Sequence, residues 1–250
     1  MLSAILFMCV GPAASAAVLD VTYFDREDGA AAQAALAAFQ AGAESAIGPD
    51  RKLTAVSSEA FGGYAAWNGV SGDGDLADTA VGGFSSLGGV GAGGSKVNGG
   101  TNLQVRNDDP WSWGRYDTSG AKSNWLDSND TLGMRWEASG EGKFNALSFL
   151  LTDVADVGAV FSIKVGETLF SEVIGREGRL ANGSIHLVRI LLPEAVDSLV
   201  VELRNDRTND GFGIGGATVA NIAPVPVPPA ALLLLSGAAA LIGLRRRRIA

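Results

Sequence analysis

The chain has 250 residues, with 19 Lys and Arg against 27 Asp and Glu, one His and a net charge of −8. An acidic balance of this size works against nucleic acid and anionic lipid as partners. The one cysteine is Cys9, so the chain can form no internal disulfide and no multi-cysteine metal site, and beyond Cys9 it has no thiol nucleophile. The 34 glycines suit a turn-rich β architecture better than a helical one.

Residues 1–16 read as a signal peptide. Residues 5–10 supply an apolar stretch, and Ala14-Ser15-Ala16 is a small-x-small site for signal peptidase, with cleavage before Ala17. No basic residue precedes the stretch, as would follow from a start placed downstream of the true one; a buried N-terminal strand is the alternative reading.

Residues 17–222 form one domain, because no linker is visible before Ala223. The spacing predicts a strand over 18–24. Alanine-rich residues 30–47, with Leu36 and Phe39 on one face, predict an amphipathic helix ended by Gly48-Pro49. A strand is expected over 52–61. Residues 62–101 are glycine-rich, so short strands and long loops are expected there.

Alternation then firms up. Leu103 and Val105, Leu132, Met134 and Trp136, Phe161, Ile163 and Val165, and Leu199, Val201 and Leu203 each point to one face of a strand. Further strands are expected over 146–151, 168–174, 184–191 and 212–219. Glu141-Gly142 and Asn182-Gly183 read as hairpin turns. The expected fold is all-β: an antiparallel β-sandwich of jelly-roll type with one N-terminal helix.

Candidate sites are few. Asp73, Asp75 and Asp78 are spaced to share a hard cation such as Ca²⁺, or to form a solvated acidic turn; they do not match an EF-hand. Asp206 and Asp210, before Gly211, pose the same choice. Trp111 and Trp113 are two apart, and with Asp108, Asp109, Arg115 and Tyr116 they offer stacking faces and polar groups of the kind that grip sugars, or they cap the core. Trp67 and Trp125 are expected in loops, Trp136 in the core. His186 shares a face with Val188 and Ile190 and reads as a hydrogen-bonded, semi-buried histidine. No nucleophile elbow accompanies it. No catalytic residue and no cofactor beyond Ca²⁺ is expected.

The tail, 223–250, joins three features in order. Val225, Pro226, Val227, Pro228, Pro229 and Ala230 form a proline-rich motif. Residues 229–244 carry no charge and would make a helix of roughly 24 Å, at the short end of what crosses a bilayer. Arg245, Arg246, Arg247 and Arg248 would hold its end on the cytoplasmic side. They take four of the 19 basic residues, leaving 15 against 27 acids, a balance of −12 for the rest.

This tail resembles the PEP-CTERM class of sorting signals, in its V-P-L-P-A variant. Valine stands in place of leucine, and an extra proline precedes Ala230. The resemblance implies processing by a membrane-embedded exosortase-type protease after a transient stay in the membrane. It further implies release or transfer to the cell surface, in the setting of an extracellular polysaccharide. Residues 205–214 and the strand after them also resemble the end of exported bacterial jelly-roll domains. In that pattern paired acids bind a structural Ca²⁺, whereas Gly215 and Gly216 stand there in this chain. The expected role is a non-catalytic component of the cell surface or extracellular matrix. The alternatives are a glycan-binding module and an extracellular hydrolase.

Overall fold

The computed structural model describes residues 17–68, 71–89, 102–107, 114–118, 123–156, 160–174, 180–206 and 211–225. The signal peptide, Trp111, Trp113, Asp210 and the tail from Pro226 through Arg245, Arg246, Arg247 and Arg248 lie outside the described residues. Among those residues no helix is long and apolar enough to cross a membrane.

Ten strands are described: β1 (Val18–Phe24), β2 (Arg51–Glu59), β3 (Gly82–Ser86), β4 (Gln104–Arg106), β5 (Trp125–Asp127), β6 (Gly133–Thr152), β7 (Phe161–Val165), β8 (Thr168–Ile174), β9 (Ile185–Asn205) and β10 (Gly213–Pro224). Their order is β4-β5-β10-β6-β9-β7-β8, with β1 on β9, β2 on β10 and β3 on β6. Every pairing is antiparallel. The all-β expectation holds, and β1, β7 and β8 fall where they were expected.

The sheet is made sandwich-like by its two longest strands. Trp136 and Phe149 lie thirteen positions apart on β6, which fully extended would separate them by about 43 Å. Their rings instead meet edge to face at 5.7 Å. β6 must therefore fold over between them, and the pairing shows where. From Ser139↔Ser198 to Phe144↔Val196, five steps of β6 face two of β9; from there to Ala146↔Leu191, two face five. This corner carries β6 and β9 from one layer into the other. The hairpin expected at Glu141-Gly142 is thus not formed. A Cβ at Gly142 would meet nothing within 4 Å, so the corner is open at this glycine. Likewise 184–191 and 199–203, expected as separate strands, are the two arms of β9.

One layer holds β1, the start of β9, the end of β6, β10 and β2. The other holds β3, the start of β6, the end of β9, β7 and β8. Between them lies the main core, including Phe84, Trp136, Phe149, Phe161, Val188, Val201, Leu203 and Val219. Phe84 stacks on Trp136 at 5.3 Å, and Trp136 donates its indole N–H to the Val81 carbonyl at 2.9 Å.

The first layer is covered on its outer face by α1 (Gly29–Gln40). Leu36 packs with Leu150, Ile185 and Leu187, and Phe39 with Ala146, Ala220 and Ile222. Burying each such side chain stabilises by about 1.5–3 kcal/mol. The helix expected over 30–47 stops early. Gly42, at φ 67°, donates to the Phe39 carbonyl, and Ala43 donates to Ala38. This is the 6→1 and 5→2 closure that ends helices at a left-handed glycine. The short α2 (Glu44–Ile47) follows, ended by Gly48.

Register also locates the first and last described strands. Val18 faces Leu191, Leu191 faces Ala146, and Ala146 faces Ala220. β1 therefore begins, and β10 ends, at the pole that carries the corner. β10 runs past the expected domain boundary to Pro224, opposite Arg51, and the Val225 amide donates to Asp50.

Candidate functional site: a buried arginine–carboxylate cluster

At the opposite pole Gly213 pairs with both Thr152 and Asp127, and Phe24 pairs with Ile185. Segment 114–118, the end of β5 with the turn after it, the end of β6 and turn 182–183 converge here. The turns have unusual backbone: Asn129, Asp130, Asp153 and Ala155 all have φ between 54° and 64°. Asn and Asp accept that left-handed region more readily than other non-glycine residues.

Arg115 is at the centre. Its guanidinium donates to Asp127 Oδ1 at 2.7 Å and meets Asp130 Oδ1 at 2.9 Å; Asp153 Oδ2 lies 4.0 Å from Nε. Asp127 also accepts the Asn129 amide at 2.9 Å, and its second oxygen is 3.8 Å from Arg106. Arg106 in turn bonds Gln104 and lies over the Trp125 ring at 5.9 Å. Burial works against the charge on Arg115, but Asp127, Asp130 and Asp153 outweigh it and hold its pKa above the ordinary value. Charges this deeply placed hold only as a set.

Tyr116 joins this core. It is buried, its hydroxyl donates to the Gly183 carbonyl at 3.0 Å, and the Arg26 guanidinium lies 4.5 Å over its ring. Gly183 donates its own amide to Asp153 Oδ1 at 2.8 Å. Gly114 is required here twice over: its φ is 77°, and a Cβ would overlap the side-chain oxygens of Asp153 and Asn182.

Arg106 and Arg115 flank the segment that carries Trp111 and Trp113, and both reach Asp127. Tyr116 is brought to the cluster, with its ring covered rather than presented at the surface. Trp125, expected in a loop, is fully buried on β5 against Gly213; a three-residue strand is too short to show alternation. Trp67 is half-buried, and its amide donates to Val105 at 2.8 Å. Trp136 is in the core, as its alternation indicated.

Asp73, Asp75 and Asp78 are brought into one loop without converging. Asp73 Oδ2 accepts the Ala65 amide at 2.6 Å, and Asp75 Oδ1 accepts those of Ser86 and Leu103 at 3.1 and 3.0 Å. Asp78 offers its carbonyl to the Tyr64 hydroxyl. Among the described residues no group of three His, Cys, Asp or Glu is placed to hold a metal ion. Asp206 accepts the Val160 amide at 2.8 Å. Gly215 sits at the register shift of β10 beside Thr118, and Gly216 faces Leu36 of α1. An acidic side chain at Gly216 would run into α1, and one at Gly215 would meet Thr118.

His186 is buried on β9, edge-on to Tyr23 at 5.4 Å, and its Nδ1 has no hydrogen-bond partner among the described residues. That departs from the hydrogen-bonded histidine expected. Burial lowers its pKa to about 4, so the ring is neutral at physiological pH.

Sequence reasoning noticed Arg115 but missed Asp127, Asp130, Asp153 and Arg106. The local signal was Asn129-Asp130, a turn pair; the partners lie 12 to 38 positions from Arg115.

No family model matches the chain. No curated protein matches it at a significant level. Among solved structures, the chain is similar to the catalytic unit of a thermostable GH87 alpha-1,3-glucanase from Streptomyces thermodiastaticus, at 18% identity with a TM-score of 0.25. The match covers 39% of this chain and 20% of that one, so the chain spans about a fifth of that structure's length. At that level the likeness carries no argument about function.

Proposed function

We propose that this chain is an exported, exosortase-processed protein of the cell surface or extracellular matrix, non-catalytic and structural in type. Its sandwich is of jelly-roll type, and residues 229–244 are the transient membrane helix. The reading rests on the order of proline motif, uncharged run and four arginines in the tail. On this reading Val18 and Pro224 lie at one pole of the described domain, so a tether beyond Val225 would leave the Arg115 cluster at the far pole from the membrane. The intact mass of the mature species tests the whole reading, with loss of residues 1–16 and of the arginine-bearing end expected. Full-length molecules in the cytosolic fraction would refute it.

A second reading, glycan binding through Trp111 and Trp113 without the covered Tyr116, is favoured by the anchoring of Arg106 and Arg115 on Asp127, which fixes the residues on either side of the tryptophan-bearing segment. A glycan array comparing the native chain with Trp111→Ala/Trp113→Ala tests it, and binding indifferent to the pair rejects it. A structural Ca²⁺ held by Asp73, Asp75 and Asp78 would require their loop to rearrange, because the three carboxylates do not converge. Melting with and without chelator decides that point, because a bound ion raises Tm by mass action.

A further inference from the structure

We propose that Asn182 is a spontaneous modification site, an Asn–Gly pair held latent by Asp153 and exposed to deamidation when the Arg115 cluster opens. The chain has three Asn–Gly pairs, Asn68-Gly69, Asn98-Gly99 and Asn182-Gly183, and the last is described in full. In such a pair the glycine amide nitrogen, unshielded by any side chain, attacks the asparagine Cγ. The N–H proton passes to solvent, a bond forms between Gly183 N and Asn182 Cγ, and Nδ2 takes a proton from solvent and departs as ammonia as its bond to Cγ breaks. Water then opens the succinimide to Asp or isoaspartate.

Two demands of that reaction are unmet in the fold. The nitrogen must give up its proton, but Gly183 N–H donates to Asp153 Oδ1 at 2.8 Å in a buried setting. A carboxylate in that place stabilises the protonated amide and opposes the anion. The backbone must also swing so that nitrogen reaches Cγ. Here Ala181 to Ser184 is closed by the Ser184 amide on the Ala181 carbonyl at 3.1 Å, with Gly183 at φ 79°, as in a type II turn. The Tyr116 hydroxyl holds the Gly183 carbonyl at 3.0 Å. Asn182 itself is exposed, so water and base have access, and it is the glycine side that is guarded.

The inference is independent of export, of the tail and of any ligand. Its test is peptide-resolved mass spectrometry of the folded chain incubated at mildly alkaline pH, comparing the native chain with Asp153→Ala and Asp153→Asn. Asp153→Ala is expected to deamidate Asn182 roughly ten- to a hundredfold faster, the span that a hydrogen bond to a charged acceptor corresponds to. Asp153→Asn, which keeps an acceptor without the charge, falls between. Equal or slower reaction in both variants would overturn the proposal, since it would make Asp153 a bystander or a base that helps the attack. Should Asp153→Ala fail to fold, amide exchange of Gly183 in the native chain decides. Strong protection is expected, and exchange at the rate of an unstructured peptide overturns the idea.

Discussion

The two poles of the sandwich use the same charged groups to different ends. At the corner pole Lys143 and Asp197 lie 3.8 Å apart with side chains 62% and 80% exposed. At the other pole Arg115 meets Asp127 with side chains 10% and 2% exposed. Water screens the first pair, so it contributes little. The second pair has no water to return to, so each member depends on the other. One end of the domain tolerates change, while the other is a single unit that fails together.

The largest test of that contrast is Arg115→Met. It leaves Asp127 and Asp153 buried, and Asp130 half-buried, around an uncharged side chain, and urea titration is expected to show a loss of about 3–5 kcal/mol. Next comes pH. His186 has its folded pKa lowered from 6.5 to about 4, so the unfolded chain takes up a proton that the fold refuses. Stability from this residue is intact above pH 6.5, falls as pH drops towards 4, and levels off below, with a total of about 3 kcal/mol. His186→Leu should flatten that limb of the pH profile, as measured by Tm. The same substitution at each pole gives the third test. Gly114→Ala forces a side chain onto Asp153 at a positive φ and should cost about 2 kcal/mol. Gly142→Ala meets open space and should change Tm little or raise it. Smallest of all, Lys143→Ala is expected to stay within about 0.5 kcal/mol by urea titration.

The sequence was legible where burial imposes a period. Phe161, Ile163 and Val165 face the core while Ser162 and Lys164 face out, and the strand reads at sight. Arg135, Glu137, Glu202 and Arg204 mark the outer face of the second layer in the same way. It misled where local chemistry permits two outcomes. Glu141-Gly142 suits a turn, but it equally lets a long strand bend, and which occurs is settled by the packing of Trp136 on Phe149 far from the glycine. The site was the least legible part. Arg115, Asp127, Asp130 and Asp153 have no shared spacing, since the fold, not the order of residues, makes them neighbours.

The placement of Val18 and Val225 has an engineering consequence. Val18 is level with Ala220 and three strands away, about 14 Å across the sheet, while β10 continues a further five residues to Val225. A bridge of roughly ten residues would close that gap. New termini cut between Glu141 and Gly142 would then yield a circularly permuted molecule whose core pairs in the original register.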